Sequence, residues 1–99
     1  MLSYWMQTVN NKTVLEQRDI ERPTPGPKQI LLRLHAASLN RGEFVIGHGL
    51  HKGGQASAIG MEGAGVIAAM GSEVKGFKIG DKVMGRCRGA FAEYAAMDA

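Results

Sequence analysis

Residues 60–85 read GMEGAGVIAAMGSEVKGFKIGDKVMG, short apolar runs cut at regular intervals by glycine. Val66, Ile67 and Met70 fit one buried strand, and Val83 and Met84 fit the next. Gly71-Ser72 and Gly76 mark tight turns between them, and Gly80-Asp81 opens the second strand in a way that suits a hairpin. So many glycines imply sharp turns or positive φ, which a helix would not use. This stretch therefore predicts paired strands, and the rest of the chain is read outward from it.

Upstream, residues 3–9 and 13–20 predict a β-hairpin, with Asn10, Asn11 and Lys12 at the turn because such residues tolerate left-handed geometry. Neither face of the first strand is purely polar, and the second has a weak pattern that fits a largely exposed strand. Pro23, Pro25 and Pro27 around Gly26 cannot donate to a ladder, so they predict an irregular surface connection rather than a proline-rich ligand. The cleanest alternation follows, with Ile30, Leu32, Leu34 and Ala36 on one face and Leu31, Arg33, His35 and Ala37 on the other, which predicts a core strand. From Leu39 to Ile46 the period shifts toward one short helical turn that Asn40 could cap. GHGLHKGGQASA at 47–58 reads as a surface loop with no regular structure, and residues 90–97, AFAEYAAM, fit a strand.

Composition bounds the class. The chain has 99 residues, 44% of them hydrophobic and 21% charged, which supports one modest core and one domain. Its fourteen glycines and scattered Val, Ile and Leu predict a mainly β fold. The net charge of +3 is spread along the chain with acidic residues interleaved, so no basic block stands out and no nucleic acid is expected as a partner. No apolar run approaches the length of a membrane span or a signal segment, so no membrane partner is expected either. The lone Cys87 rules out an internal disulfide and points to a reducing cytoplasm.

The candidate chemistry is thin when weighed residue by residue. GHGLHKG lacks the third glycine of the dinucleotide fingerprint, whose place holds Lys52, and the P-loop ending is absent. His48 and His51 could hold a metal, but a third ligand is needed and solvation is the simpler reading. Cys87 lies between Arg86 and Arg88, which could activate a thiol, though a lone cysteine in a strand or turn is more often inert. His35, on the less apolar face of its strand, reads as an ordinary hydrogen-bonded histidine before a catalytic one. The residues alone do not name a reaction.

Three blocks, PTPGPKQILLRLHAASLNRGEF from Pro23, the glycine stretch from Gly60, and GAFAEYA from Gly89, resemble in order and spacing the N-terminal GroES-like domain of the medium-chain dehydrogenase/reductase superfamily. The resemblance covers almost the whole chain. It implies a GroES-like, partly open β-barrel with short helical turns, here without the nucleotide-binding Rossmann domain that follows in the family. Residues 1–99 would then be one incomplete domain. The family's zinc enzymes carry a cysteine and a histidine ligand where this sequence has Asn40 and Met61. A carboxamide and a thioether do not replace thiolate and imidazole on a catalytic zinc, so no zinc is expected.

The resemblance accordingly implies the zinc-free branch, quinone oxidoreductases and enoyl reductases, in which NADPH gives a hydride to a quinone or an activated alkene. Carried over position by position, Asn40 becomes the catalytic candidate, hydrogen-bonding near the substrate oxygen. Arg41, Phe44 and His48 become substrate-binding candidates, with the 47–58 loop bordering the cleft. Glu62 reads as structural before catalytic. With the cofactor domain missing, the isolated chain is expected neither to bind NADPH nor to turn over a quinone or enone. Sheet edges and surface left uncovered would favour self-association. The rival reading is a non-enzymatic GroES-like oligomeric module that engages a partner through the 47–58 loop.

Overall fold

The alternating run at 29–37 and the first half of the glycine stretch both form strands, and they pair with each other along most of their length. The computed structural model describes residues 1–10, 12–39 and 56–99. These contain β1 (Leu2–Val9), β2 (Lys12–Asp19), β3 (Gln29–Ala37), β4 (Ser57–Ala58), β5 (Glu62–Met70), β6 (Lys82–Arg86) and β7 (Tyr94–Asp98). No helix occurs among the described residues, and the helical turn expected at 39–46 lies outside them apart from Leu39. The mainly β expectation is met: one sheet runs β2-β1-β4, the other β6-β5-β3-β7, both antiparallel and open.

β1 and β2 form the expected hairpin. Val9 pairs with Lys12, and Asn10 takes a φ of 50°, the left-handed geometry expected of it. As expected, β2 is mostly exposed, Leu15 at 62%. Arg18 ion-pairs with Glu16 and lays its guanidinium 4.4 Å from the Trp5 ring centroid, covering an aromatic that would otherwise face water. The proline segment is irregular, and Arg22 fastens it to β7 by lying 4.0 Å from the ring centroid of Tyr94.

β3 is the central strand. Ile30, Leu31 and Leu32 are all buried, and the ladder to β5 shifts register between Leu31 and Leu32. Its far end emerges, leaving His35 and Ala36 exposed. Under the sheet, Leu32 packs with Cys87, Ala90 and Ala95, joined by Leu34, Val83 and Met97. A smaller cluster of Met6, Ile59 and Phe91 sits under β1. The two sheets are joined by backbone: Tyr4 N–H donates to Phe91 O at 2.9 Å, Phe91 N–H to Ile59 O at 3.0 Å, and Ile59 N–H to Tyr4 O at 3.0 Å.

Three expectations need correction. Met84 is not buried but 81% exposed, because β6 is an edge strand whose inner face belongs to Val83 and Gly85. Residues 57 and 58, read as loop, form β4 because their backbone pairs with Trp5 and Met6. The last strand begins at Tyr94 rather than near residue 90, because the segment before it crosses to β1 through the Ser3–Ala92 bridge.

Candidate functional site

Where β3 ends, Ser38 is held twice by the first residue of β5. Its N–H donates to Glu62 O at 3.2 Å and its hydroxyl to Glu62 Oε1 at 3.1 Å. A strand end is a natural place for this, since the ladder stops and side-chain oxygens take over the backbone's partners. The segment that carries position 40 therefore leaves the sheet from a fixed point. Beside it lies a hollow of about 300 Å³ lined by Ala36, Ala37, Ser38, Glu62, Gly63 and Ala64, with Met84 and Gly85 on its rim. Small side chains on both strands are what leave this space open.

A second hollow, about 540 Å³, continues along the same face past Ala64 and Met84. His35, Val66, Lys82 and Val83 complete it, so its walls are apolar with two polar groups at the margin. Val66 pairs with both Arg33 and Lys82, and Ala64 with Met84, which sets these side chains in register across three strands.

Met61 precedes β5, and its carbonyl accepts from Cys87 N–H at 2.7 Å. The lone cysteine is thus brought alongside Met61, but its side chain is buried in the core with Leu32, Ala90 and Ala95. Burial pushes the Cys87 thiol up from its ordinary value, the opposite of activation by Arg86 and Arg88. Among the described residues no three His, Cys, Asp or Glu side chains gather as a metal site.

Of the residues named from sequence, Asn40, Arg41, Phe44 and His48 lie outside the described residues, as does most of the 47–58 loop. His35 is exposed on the larger hollow. Glu62 accepts the Ser38 hydroxyl at the end of β3. Ser38 was missed; nothing in its local pattern marks it, since its partner is twenty-four positions away.

The chain matches the alcohol dehydrogenase GroES-like domain family over residues 26–99. It is 44% identical over 71 residues to a quinone oxidoreductase of Pseudomonas aeruginosa, a match covering 71% of this chain and 22% of that protein. It superposes on an alcohol dehydrogenase superfamily protein of Novosphingobium aromaticivorans with a TM-score of 0.82 at 30% identity, over 100% of this chain and 32% of the other. A mycobacterial protein solved as a complex with NADPH shares the fold, with a TM-score of 0.83 at 23% identity over 100% of this chain and 32% of its own. The chain thus spans about a fifth to a third of these proteins' lengths.

Proposed function

Since the chain belongs to the alcohol dehydrogenase GroES-like domain family, we propose that it supplies the substrate side of an NADPH-dependent, zinc-independent oxidoreductase acting on a quinone or an enone. The observation that carries this is the double hydrogen bond from Ser38 to Glu62, made beside the small hollow and two positions before Asn40 in sequence. A flat, largely apolar acceptor suits walls made of Ala36, Ala37 and Ala64. Asn40 presents a carboxamide to the substrate oxygen, while Arg41, Phe44 and His48 border the acceptor. The quinone oxidoreductase relative supports the substrate class, and the mycobacterial complex supports the cofactor.

NADPH, when bound, supplies the hydride. In this reading its pyrophosphate belongs on a glycine turn leading into a helix, which the described residues do not include. Zinc does not fit: the positions that would carry it hold Met61 and Asn40, neither of which offers thiolate or imidazole. Acceptor polarisation therefore falls to hydrogen bonding and orientation. A lone buried thiol suits a reducing cytoplasm.

The test is a chimera in which this chain replaces the matching segment of the Pseudomonas aeruginosa quinone oxidoreductase. NADPH-dependent quinone reduction is expected from the chimera and not from the isolated chain. Asn40→Ala should lower kcat/KM about a hundredfold, the cost of losing a donor to developing charge. A folded chimera that binds NADPH but reduces neither quinones nor enones, or one whose activity is lost to chelators and restored by zinc, would refute the reading.

A further inference from the structure

β2 is the outer strand of the β2-β1-β4 sheet, and its ladder to β1 runs without a bulge from Leu2↔Asp19 to Val9↔Lys12. Tyr4 donates its N–H to Phe91 O and accepts from Ile59 N–H, both on the side away from β2. In an antiparallel ladder, residues alternate between pointing their N–H and C=O at the neighbour and pointing them away, so Tyr4 and its partner Gln17 are a non-hydrogen-bonded pair. Thr13, Leu15 and Gln17 therefore turn their backbone groups outward, and no backbone partner meets them among the described residues. This edge belongs to the sheet that contains neither β6 nor β7.

Lys12 to Leu15 are all exposed, Val14 at 46% and Leu15 at 62%. Lys12, Val14, Glu16 and Arg18 share one face of the strand, and Thr13, Leu15 and Gln17 share the other. The charges on the first face are not equivalent. Arg18 is already engaged, for it ion-pairs with Glu16 and leans inward over the Trp5 ring of β1. Lys12 has no carboxylate within ion-pair distance among the described residues. Glu16 can accept from a second cation besides Arg18, since a carboxylate offers about four lone-pair sites.

We propose that the outer edge of β2 recognises a second copy of this chain, the two β2 strands joining antiparallel about a twofold axis at Val14. Backbone phase requires outward residues to meet outward residues, so odd positions face odd and even face even. Charge then chooses the register, because like charges directly opposite are destabilising. An axis at Lys12, Glu16, Arg18 or Asp19 sets that charge against its own copy, and an axis at Leu15 sets Lys12 against Arg18. An axis at Gln17 merely exchanges the Glu16–Arg18 pairs already made and sets Leu15 against Asp19, while an axis at Thr13 pairs only Lys12 to Val14. The axis at Val14 sets Lys12 against Glu16 twice and Val14 against Val14. It also brings the two Leu15 side chains to diagonal positions across from Thr13, so both exposed apolar residues are covered. Such an isologous contact closes on itself and does not propagate. The inference does not depend on the proposed reaction.

The test is sedimentation equilibrium of the 99-residue chain up to about 1 mM, since a contact this small belongs to the weak class. Lys12→Glu and Glu16→Lys should each weaken the dimer about tenfold, because two attractive pairs become repulsive. An equimolar mixture of the two variants should dimerise as the parent chain does, each contact again being glutamate against lysine. Val14→Cys should give a disulfide-linked dimer on mild oxidation, since a non-hydrogen-bonded pair sets its Cα atoms about 4.5 Å apart. Leu15→Cys should not, its diagonal separation being about 7–8 Å, and the buried Cys87 keeps the background low. A monomer at about 1 mM, failure of the mixture to recover, or cross-linking through Leu15→Cys ahead of Val14→Cys would each overturn the proposal. So would a Lys12→Glu chain that dimerises more strongly, which is the outcome for an axis at Leu15, or open-ended growth, which assigns the edge to a different surface. The Val14→Cys cross-link should also form in the chimera with the Pseudomonas aeruginosa quinone oxidoreductase. A cross-link confined to the 99-residue chain would overturn the proposal, since the rest of such a protein then covers the edge.

Discussion

Gly65→Ala is the sharpest perturbation the fold offers. Gly65 pairs with Leu34 in the middle of the β3–β5 ladder. A Cβ there would lie 2.0 Å from Arg33 O, 2.9 Å from the Arg33 carbonyl carbon and 3.1 Å from Leu34 Cα. Even a weak C–H···O contact needs about 3.3 Å, so the strands must part by more than about 1 Å. The obstacle is backbone and cannot rotate away. Overpacking costs about 1–3 kcal/mol, two weakened ladder bonds about 1 kcal/mol each, and the stiffer unfolded chain returns about 0.4–1 kcal/mol. The net is a loss of about 3 kcal/mol, a large part of the roughly 5–15 kcal/mol that holds a domain together. In a domain of this size that lowers Tm by about 12–24 °C. The control is Gly85→Ala, whose new methyl would meet only the terminal methyl of Met97 at 3.2 Å. Met97 can swing aside, so Tm should stay within about 4 °C. Thermal unfolding followed by circular dichroism reads both. A Gly65→Ala melt indistinguishable from that of Gly85→Ala would refute the steric argument.

Other expectations follow from particular groups. Cys87, buried with its thiol pushed up, should react with a thiol reagent about a thousandfold more slowly than in urea, native labelling then being gated by opening. A native rate equal to the unfolded one would place it at the surface. The N-terminal ammonium donates to Asp19 Oδ1 at 2.9 Å, and this hydrogen bond and charge hold the Asp19 carboxyl below its ordinary value. Its folded pKa is the lower one, so the pair's contribution is complete above the unfolded value of about 3.9 and is lost as pH falls through the folded value. N-terminal acetylation should raise the Asp19 pKa seen by NMR, and an unchanged titration would contradict the pairing. Because β2 is an edge strand that exposes Val14 and Leu15, self-association at high concentration should run through β2. Leu15→Lys should then reduce light scattering, whereas Met84→Lys should not.

What could be read from sequence was whatever rests on local chemistry. Asparagine at the end of β1, prolines that cannot join a ladder and a strand through residues 30–37 each carry their cause within a few positions, and each held. The strict alternation of that strand did not, since Ile30, Leu31 and Leu32 are all buried and Ala36 is exposed. Met84 was misread because an edge strand and an inner strand share the same apolar letters, and only the sheet order separates them. β4 was missed because two residues pair with β1 through backbone alone, leaving no side-chain signature. At the candidate site the resemblance pointed at position 40, whereas Ser38, which anchors that segment, has its partner in a distant strand.

Glycine in β5 ties these observations together. At Gly63 a Cβ would fall 2.5 Å from Leu34 Cδ2 and 3.3 Å from Ala90 Cβ, so the space over that glycine is filled by its neighbours' side chains. Ala90 can therefore lie down on the sheet, and the residue after it, Phe91, continues to the backbone bonds with Tyr4 and Ile59 that join the two sheets. Next to it, Cys87 N–H donates to Met61 O and Ser38 donates to the Glu62 carboxylate. Bulkier residues at 63 and 65 would push β3 away from β5 and move Ser38 with it. The glycines that rule out a helix in this stretch thus also decide where the segment bearing position 40 departs from the sheet.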